Sequence, residues 1–195
     1  MDHPAFTITA GARMPTRHGD FLMESFRFGF DASPHLALSM GLDQDRVPLV
    51  RVHSECATSE IFGSLRCDCA HQLDESLRRI QHAGGGVLIY LRQEGRGIGI
   101  ENKLKAYALQ DQGLDTVDAN VALGLPIDGR SYDPAVAYLR HRDVRHCVLL
   151  TNNPDKVQAL ESSGIRVTRS PLRGTRHEDC RGYLETKRLR LGQDC

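Results

Sequence analysis

Between residues 47 and 170, short apolar runs alternate with segments of helical period, and that alternation admits few architectures. VPLVRV (47–52), GVLIYL (86–91), HCVLLT (146–151) and IRVTRS (165–170) read as strands. After the first, CAHQLDESLRRIQHAGGG puts Leu73, Leu77 and Ile80 on one helical face. Its glycine triplet ends the helix, because glycine accepts the left-handed backbone that a helix C-terminus often needs. IENKLKAYALQDQG forms a second helix, stopped at Gly113. NNPDKVQALESSG forms a third, with Asn153 as N-cap, Pro154 in the first turn and Gly164 just past the end. Strands joined through helices imply an α/β fold: a single domain with a mixed, substantially parallel sheet flanked by helices, whose ligands bind beyond the carboxyl ends of strands. Residues 1–46 read as an antiparallel or irregular lead-in, and the polar, basic stretch 173–195 as a mobile tail.

A chain of 195 residues is long enough to bury a self-sufficient core, so one domain over 1–195 is expected. Lys plus Arg and Asp plus Glu each number 25, leaving no global field to draw nucleic acid or a membrane surface. Any anionic ligand must be held by local groups. No stretch reaches the roughly 20 apolar residues of a membrane span, and MDHPAFTITAGARMPTR lacks the apolar block of a secretion signal. The expectation is a cytoplasmic protein whose thiols stay reduced, so that clustered cysteines point to metal or catalysis rather than to disulfides.

Cys56, Cys67 and Cys69 form such a cluster, while Cys147, Cys180 and Cys195 lie far apart and read as incidental. A structural zinc site takes four protein ligands, whereas three suggest an open position at which a metal activates water or polarises a substrate. A fourth ligand from His53, His71 or Cys180 would close the site and make it structural. The HSE that precedes Cys56 also suggests a zinc nucleobase deaminase, but that pattern requires a P-C-x-x-C pair, and here Cys67 and Cys69 are separated by one residue with no proline before them.

In LRQEGRGIGIENK, Gly95, Gly97 and Gly99 free the backbone to turn amides toward an anion, with Arg92 and Arg96 alongside. That suits a polyphosphate, although a tight turn without a ligand also needs glycine. The segment is neither a Walker A loop nor a dinucleotide fingerprint. Asp128 stands two residues before Arg130, where the pair can face one ligand or join each other at the surface. Taken alone, Tyr107 reads as a core aromatic with its hydroxyl at the edge. Thr151, Asn152, Asn153 and Lys156 lie at a strand end and helix start, where an anion or ordinary capping would be served.

Taken together, RVHSEC, SLRCDC, RQEGRGIG, NKLKAYALQDQGLDT, DGR and LLTNNPDKV resemble GTP cyclohydrolase II in order and spacing over about residues 45 to 172. PTRHGDF and YLETK extend the likeness to nearly the whole chain. The resemblance implies zinc on Cys56, Cys67 and Cys69, and a GTP site formed by Arg51, Val52, His53, Ser54, Glu55, Gln72, Glu94, Gly95, Arg96, Thr116, Thr151 and Lys156. It implies Asp128 as proton acceptor, Arg130 as nucleophile toward the α-phosphorus and Tyr107 in ring opening near the metal. The implied reaction opens the imidazole ring of GTP, with zinc for the carbon chemistry and Mg²⁺ on the phosphates, and releases formate and pyrophosphate as the first step of riboflavin biosynthesis. A homodimer acting on a small-molecule substrate, as a standalone enzyme without a fused dihydroxybutanone phosphate synthase domain, is implied as well. Alternatives are a relative that stops at the formamide and a zinc-stabilised nucleotide-binding protein without turnover. Ser59 and Glu60 stand where the family often has glycine and aspartate, and Ala70 where glycine is usual.

Overall fold

The computed structural model describes residues 5–42, 46–172, 190 and 192, so the expected tail over 173–195 falls almost wholly outside the described residues. The chain divides into two compact units, each assembled from separate segments: 1–53, 73–92 and 132–172 in the first, 54–72, 93–131 and 173–195 in the second.

A mixed seven-stranded sheet in the order β1-β2-β3-β5-β4-β6-β7 organises the first unit. The lead-in forms a long hairpin of β1 (Phe6–Thr16) and β2 (Gly19–Phe28), and β3 (His35–Met40) pairs antiparallel with β2 on one side and with β5 (Gly86–Leu91) on the other. In the other half, β4 (Leu49–Ser54), β6 (His146–Leu150) and β7 (Arg166–Ser170) run parallel. The parallel pairs follow from helical crossovers, as the alternating sequence predicts.

The middle strands β4, β5 and β6 are largely buried because both faces of the sheet are covered, although β4 also buries Arg51 and His53. Val87, Ile89 and Leu91 of β5 join Val50, Val52 and Leu149 in one cluster with Tyr138 and Leu139 of α5 (Asp133–His141) and Leu160 of α6 (Pro154–Ser162). Leu88 points the other way, into a cluster with Phe21, Leu38 and Ile80, packed by Leu73 and Leu77 of α2 (Cys69–Ala83). The predicted face of α2 is therefore the buried one. Asn153 caps α6 by accepting from the Asp155 amide at 2.9 Å, with Pro154 beginning the helix.

Helices dominate the second unit: the short α1 (Ala57–Glu60), α3 (Gly99–Gln110) and α4 (Thr116–Ala122), with a 3-10 turn over Glu94–Gly97 leading into α3. Asp115 caps α4, accepting from the Val117 and Asp118 amides at 2.7 and 2.8 Å. No helix among the described residues is long and apolar enough to cross a membrane.

Candidate active site

Cys56 sits at the cap of α1, and Cys67 and Cys69 stand at the entry to α2; the three sulfurs lie within 4.8 Å of one another. Cys56 and Cys67 approach to 3.6 Å. Four-coordinate zinc at about 2.3 Å from each sulfur spaces its ligands about 3.8 Å apart, so a small closure of the trio would fit that ion. Among the described residues no other His, Cys, Asp or Glu joins this group; Cys180 lies outside them.

The chemistry of the donors fits as well. Hydrogen bonds from Cys67 and Cys69 and the charge of Lys103 hold the Cys56 thiol far below the usual range against the opposing effect of burial. Cys67 and Cys69 are pushed up, chiefly through sharing hydrogen bonds with Cys56 and through burial. Three clustered sulfurs, those of buried Cys56 and Cys67 and of half-buried Cys69, that together favour one negative charge are the setting in which a soft divalent cation lets all three ionise.

Around the sulfurs the second unit places several charged and polar groups. Lys103 of α3 donates to Cys56 Sγ at 3.1 Å and to Glu94 Oε1 at 2.8 Å. Glu94 accepts from the Ala57 amide at 2.6 Å and from the Gly95 amide at 2.7 Å. The Tyr107 ring lies 4.8 Å from the Arg66 guanidinium carbon and 5.7 Å from Lys103 Nζ. Burial pushes the Tyr107 hydroxyl up to about 12, against the pull of Lys103. Ser59, one of the atypical positions, is buried and accepts from the amide of Ala70, another of them, at 3.1 Å. Gln72 donates to Asp68 at 2.6 Å.

The glycine loop has a built-in reason for its composition. Gly95 and Arg96 both carry left-handed backbones, at φ 61° and 62°, and for arginine that conformation is uncommon. A Cβ on Gly97, itself at φ 87°, would come within 2.8 Å of the Gly129 carbonyl oxygen. The Gly129 amide donates to the Arg96 carbonyl at 2.9 Å, so this loop and the loop of Asp128 and Arg130 meet backbone to backbone. Arg130 grips Asp128 through Nε at 2.8 Å and through Nη2. Burial raises the Asp128 carboxyl, but Arg130 outweighs it and leaves the group below the usual carboxylate range.

In the first unit the ends of β4 and β6 gather another part of the expected set. Arg51 donates to the Leu150 carbonyl at 2.9 Å and to His53 Nδ1 at 3.3 Å, and the His53 ring stacks on Tyr90 at 5.7 Å. Lys156, buried, donates to the Val52 carbonyl at 2.8 Å and stands 5.6 Å from the ring centre of Tyr132. Thr151 Oγ1 accepts from the Asn153 amide at 3.0 Å. Arg51, Val52, His53, Thr151 and Lys156 thus meet in the first unit. Ser54, Glu55, Gln72, Glu94, Gly95, Arg96, Tyr107, Thr116, Asp128 and Arg130 belong to the second.

Lys103, Arg66 and Tyr132 were not expected from sequence. Only Arg66 carried a signal, being the residue just before Cys67.

The sequence model of the family described as GTP cyclohydrolase II matches residues 7–171. A riboflavin biosynthesis protein RibBA of Salinispora tropica is 50% identical over 188 residues, which cover 95% of this chain and 47% of that protein, so the chain spans about half of this relative's length. A GTP cyclohydrolase-2 of Acinetobacter baumannii is 50% identical over 185 residues, 93% of this chain and 92% of the relative. Another, of Neisseria meningitidis, is 46% identical over 185 residues, 94% and 93% of the two chains.

Proposed function

The chain belongs to the GTP cyclohydrolase II family, and from that premise we propose that it opens the imidazole ring of GTP. The products are formate, pyrophosphate and the diaminopyrimidinone ribosyl phosphate that begins riboflavin biosynthesis. One observation supports this reading above the rest: three cysteine sulfurs, within 4.8 Å of one another, in a unit that also carries Tyr107, Asp128 and Arg130.

Held by Cys56, Cys67 and Cys69, zinc supplies Lewis acidity for hydrolysis at C8 of the guanine. Tyr107 orients the opening ring. Arg51, Val52, His53, Ser54, Glu55, Gln72, Glu94, Gly95, Arg96, Thr116, Thr151 and Lys156 bind GTP, which arrives as its Mg²⁺ complex. Asp128 is the proton acceptor. Arginine is protonated at any working pH, and a guanidinium gripped by a carboxylate is a poor nucleophile. Arg130 therefore acts by stabilising the charge that develops as water adds to the α-phosphorus and the bond to the pyrophosphate oxygen breaks, the proton of that water passing to Asp128. The working form is a cytoplasmic homodimer, checked by its mass in solution.

Incubation of the zinc-loaded protein with GTP and Mg²⁺, assaying formate and pyrophosphate together, tests the proposal. Equal yields are expected. Pyrophosphate alone would assign the chain to the variant that stops at the formamide, and neither product would leave only nucleotide binding. Cys67→Ser should retain part of the pyrophosphate release and lose formate; loss of both in a folded variant would contradict the division of labour.

A further inference from the structure

Lys103 is 9% exposed and spends its charge inward, on a sulfur and a carboxylate at once. Cys56 and Lys103 stand 47 residues apart in the chain, and Lys103 and Glu94 nine apart. The carboxylate that Lys103 holds also accepts the amides of Ala57, directly after Cys56, and of Gly95, in the glycine loop. One ammonium and one carboxylate thus tie together the cap of α1, the 3-10 turn and α3. Burying such a pair is a poor way to gain stability, since desolvation offsets most of the attraction. A purely structural lysine would also have no reason to face a thiol rather than water.

We propose that Lys103 is a positioning residue of the metal centre: by donating to Cys56 Sγ and Glu94 together, it fixes that sulfur for the metal and draws electron density from it. The proposal rests on reading Cys56, Cys67 and Cys69 as metal ligands. A divalent cation on three thiolates leaves a net charge of about minus one, and a charged N–H donor to one of the sulfurs offsets it. Partners of metal ligands commonly set affinity as well as geometry.

Cobalt(II) added to the metal-free protein gives a readout independent of turnover, because thiolate coordination produces an intense sulfur-to-metal charge-transfer band. Wild type should take up one ion with that band. Lys103→Met should still bind one, with the band moved to longer wavelength by the more electron-rich sulfur. Its affinity, measured against a competing chelator, should fall about tenfold or more. Lys105→Met, which removes an exposed charge from the same helix, should change neither. If Lys103→Met does not fold, Lys103→Gln, which keeps a neutral donor, should give a smaller shift in the same direction. An unshifted band with affinity within twofold of wild type, in whichever variant folds, overturns the proposal, as does failure of both variants to fold, which would make Lys103 a structural strut. A wild-type protein that gives no thiolate band refutes the metal reading itself.

Discussion

Arg130 and Asp128 hold each other across two residues of chain, through both Nε and Nη2 of the guanidinium. If Arg130 works by charge, Arg130→Lys keeps the charge and loses the fork. Pyrophosphate release should then fall about 10- to 100-fold, whereas Arg130→Ala should lose about 1,000-fold or more. Equal loss in the two variants would favour a covalent role. Ser59 makes a different case. Its hydroxyl accepts from the Ala70 amide near the start of α2, one residue beyond Cys69. Ser59→Ala leaves that amide without its acceptor and should cost about 1 kcal/mol in urea unfolding, as loss of a helix-end acceptor typically does. An unchanged midpoint would show that water replaces the hydroxyl at no cost. The hydroxyl at 59 thus has a partner that its sequence position does not betray, while the alanine side chain at 70 takes no part in this bond.

At the scale of elements, the contact between the glycine loop and the loop of Asp128 and Arg130 depends on Gly97, where a methyl group would meet the Gly129 carbonyl. Gly97→Ala should force the loops apart and lower turnover about 100-fold or more, with the unfolding midpoint of the sheet core little changed; full activity would show that the loops give way freely. The sequence identified this segment as a loop because of its glycines, which serve either amides turned toward an anion or a tight turn. The close backbone approach is tertiary and has no local signal. The helix of Leu73, Leu77 and Ile80 was legible because one buried face imposes its period on the chain, and Asn153 because a cap acts within two residues. Helix α5 was missed although Asp133 and Pro134 announce its start and Val136 and Leu139 share a face. Its buried run is short and resembles a loop continuing from the DGR turn. Lys103 could not be found by such means, since its partners are nine and 47 residues away and on other elements.

For the molecule as a whole, the sheet unit holds two acids, Cys147 and Tyr138, that ionise less readily folded than unfolded. Burial raises the Cys147 thiol from 9.0 to about 12. Burial, with the hydrogen bond that Tyr138 donates to Glu24 at 2.6 Å, raises the Tyr138 hydroxyl above its ordinary 10.0. Folded values above unfolded ones mean that this stabilisation is complete below about pH 9 and is lost as pH rises toward about 12. The urea midpoint should fall over that interval. Cys147→Ala should flatten the decline while lowering stability at neutral pH, and a flat wild-type profile would contradict the burial of both groups. The division into units has its own bearing on engineering, because neither is a continuous stretch of chain. A hybrid that imports only 54–72 from a relative receives three cysteines and inherits a resident Glu94 and Lys103 selected alongside different neighbours. Exchange of 73–92 leaves the sulfurs and their lysine from one parent, which makes that block the natural place to begin recombining the sequence.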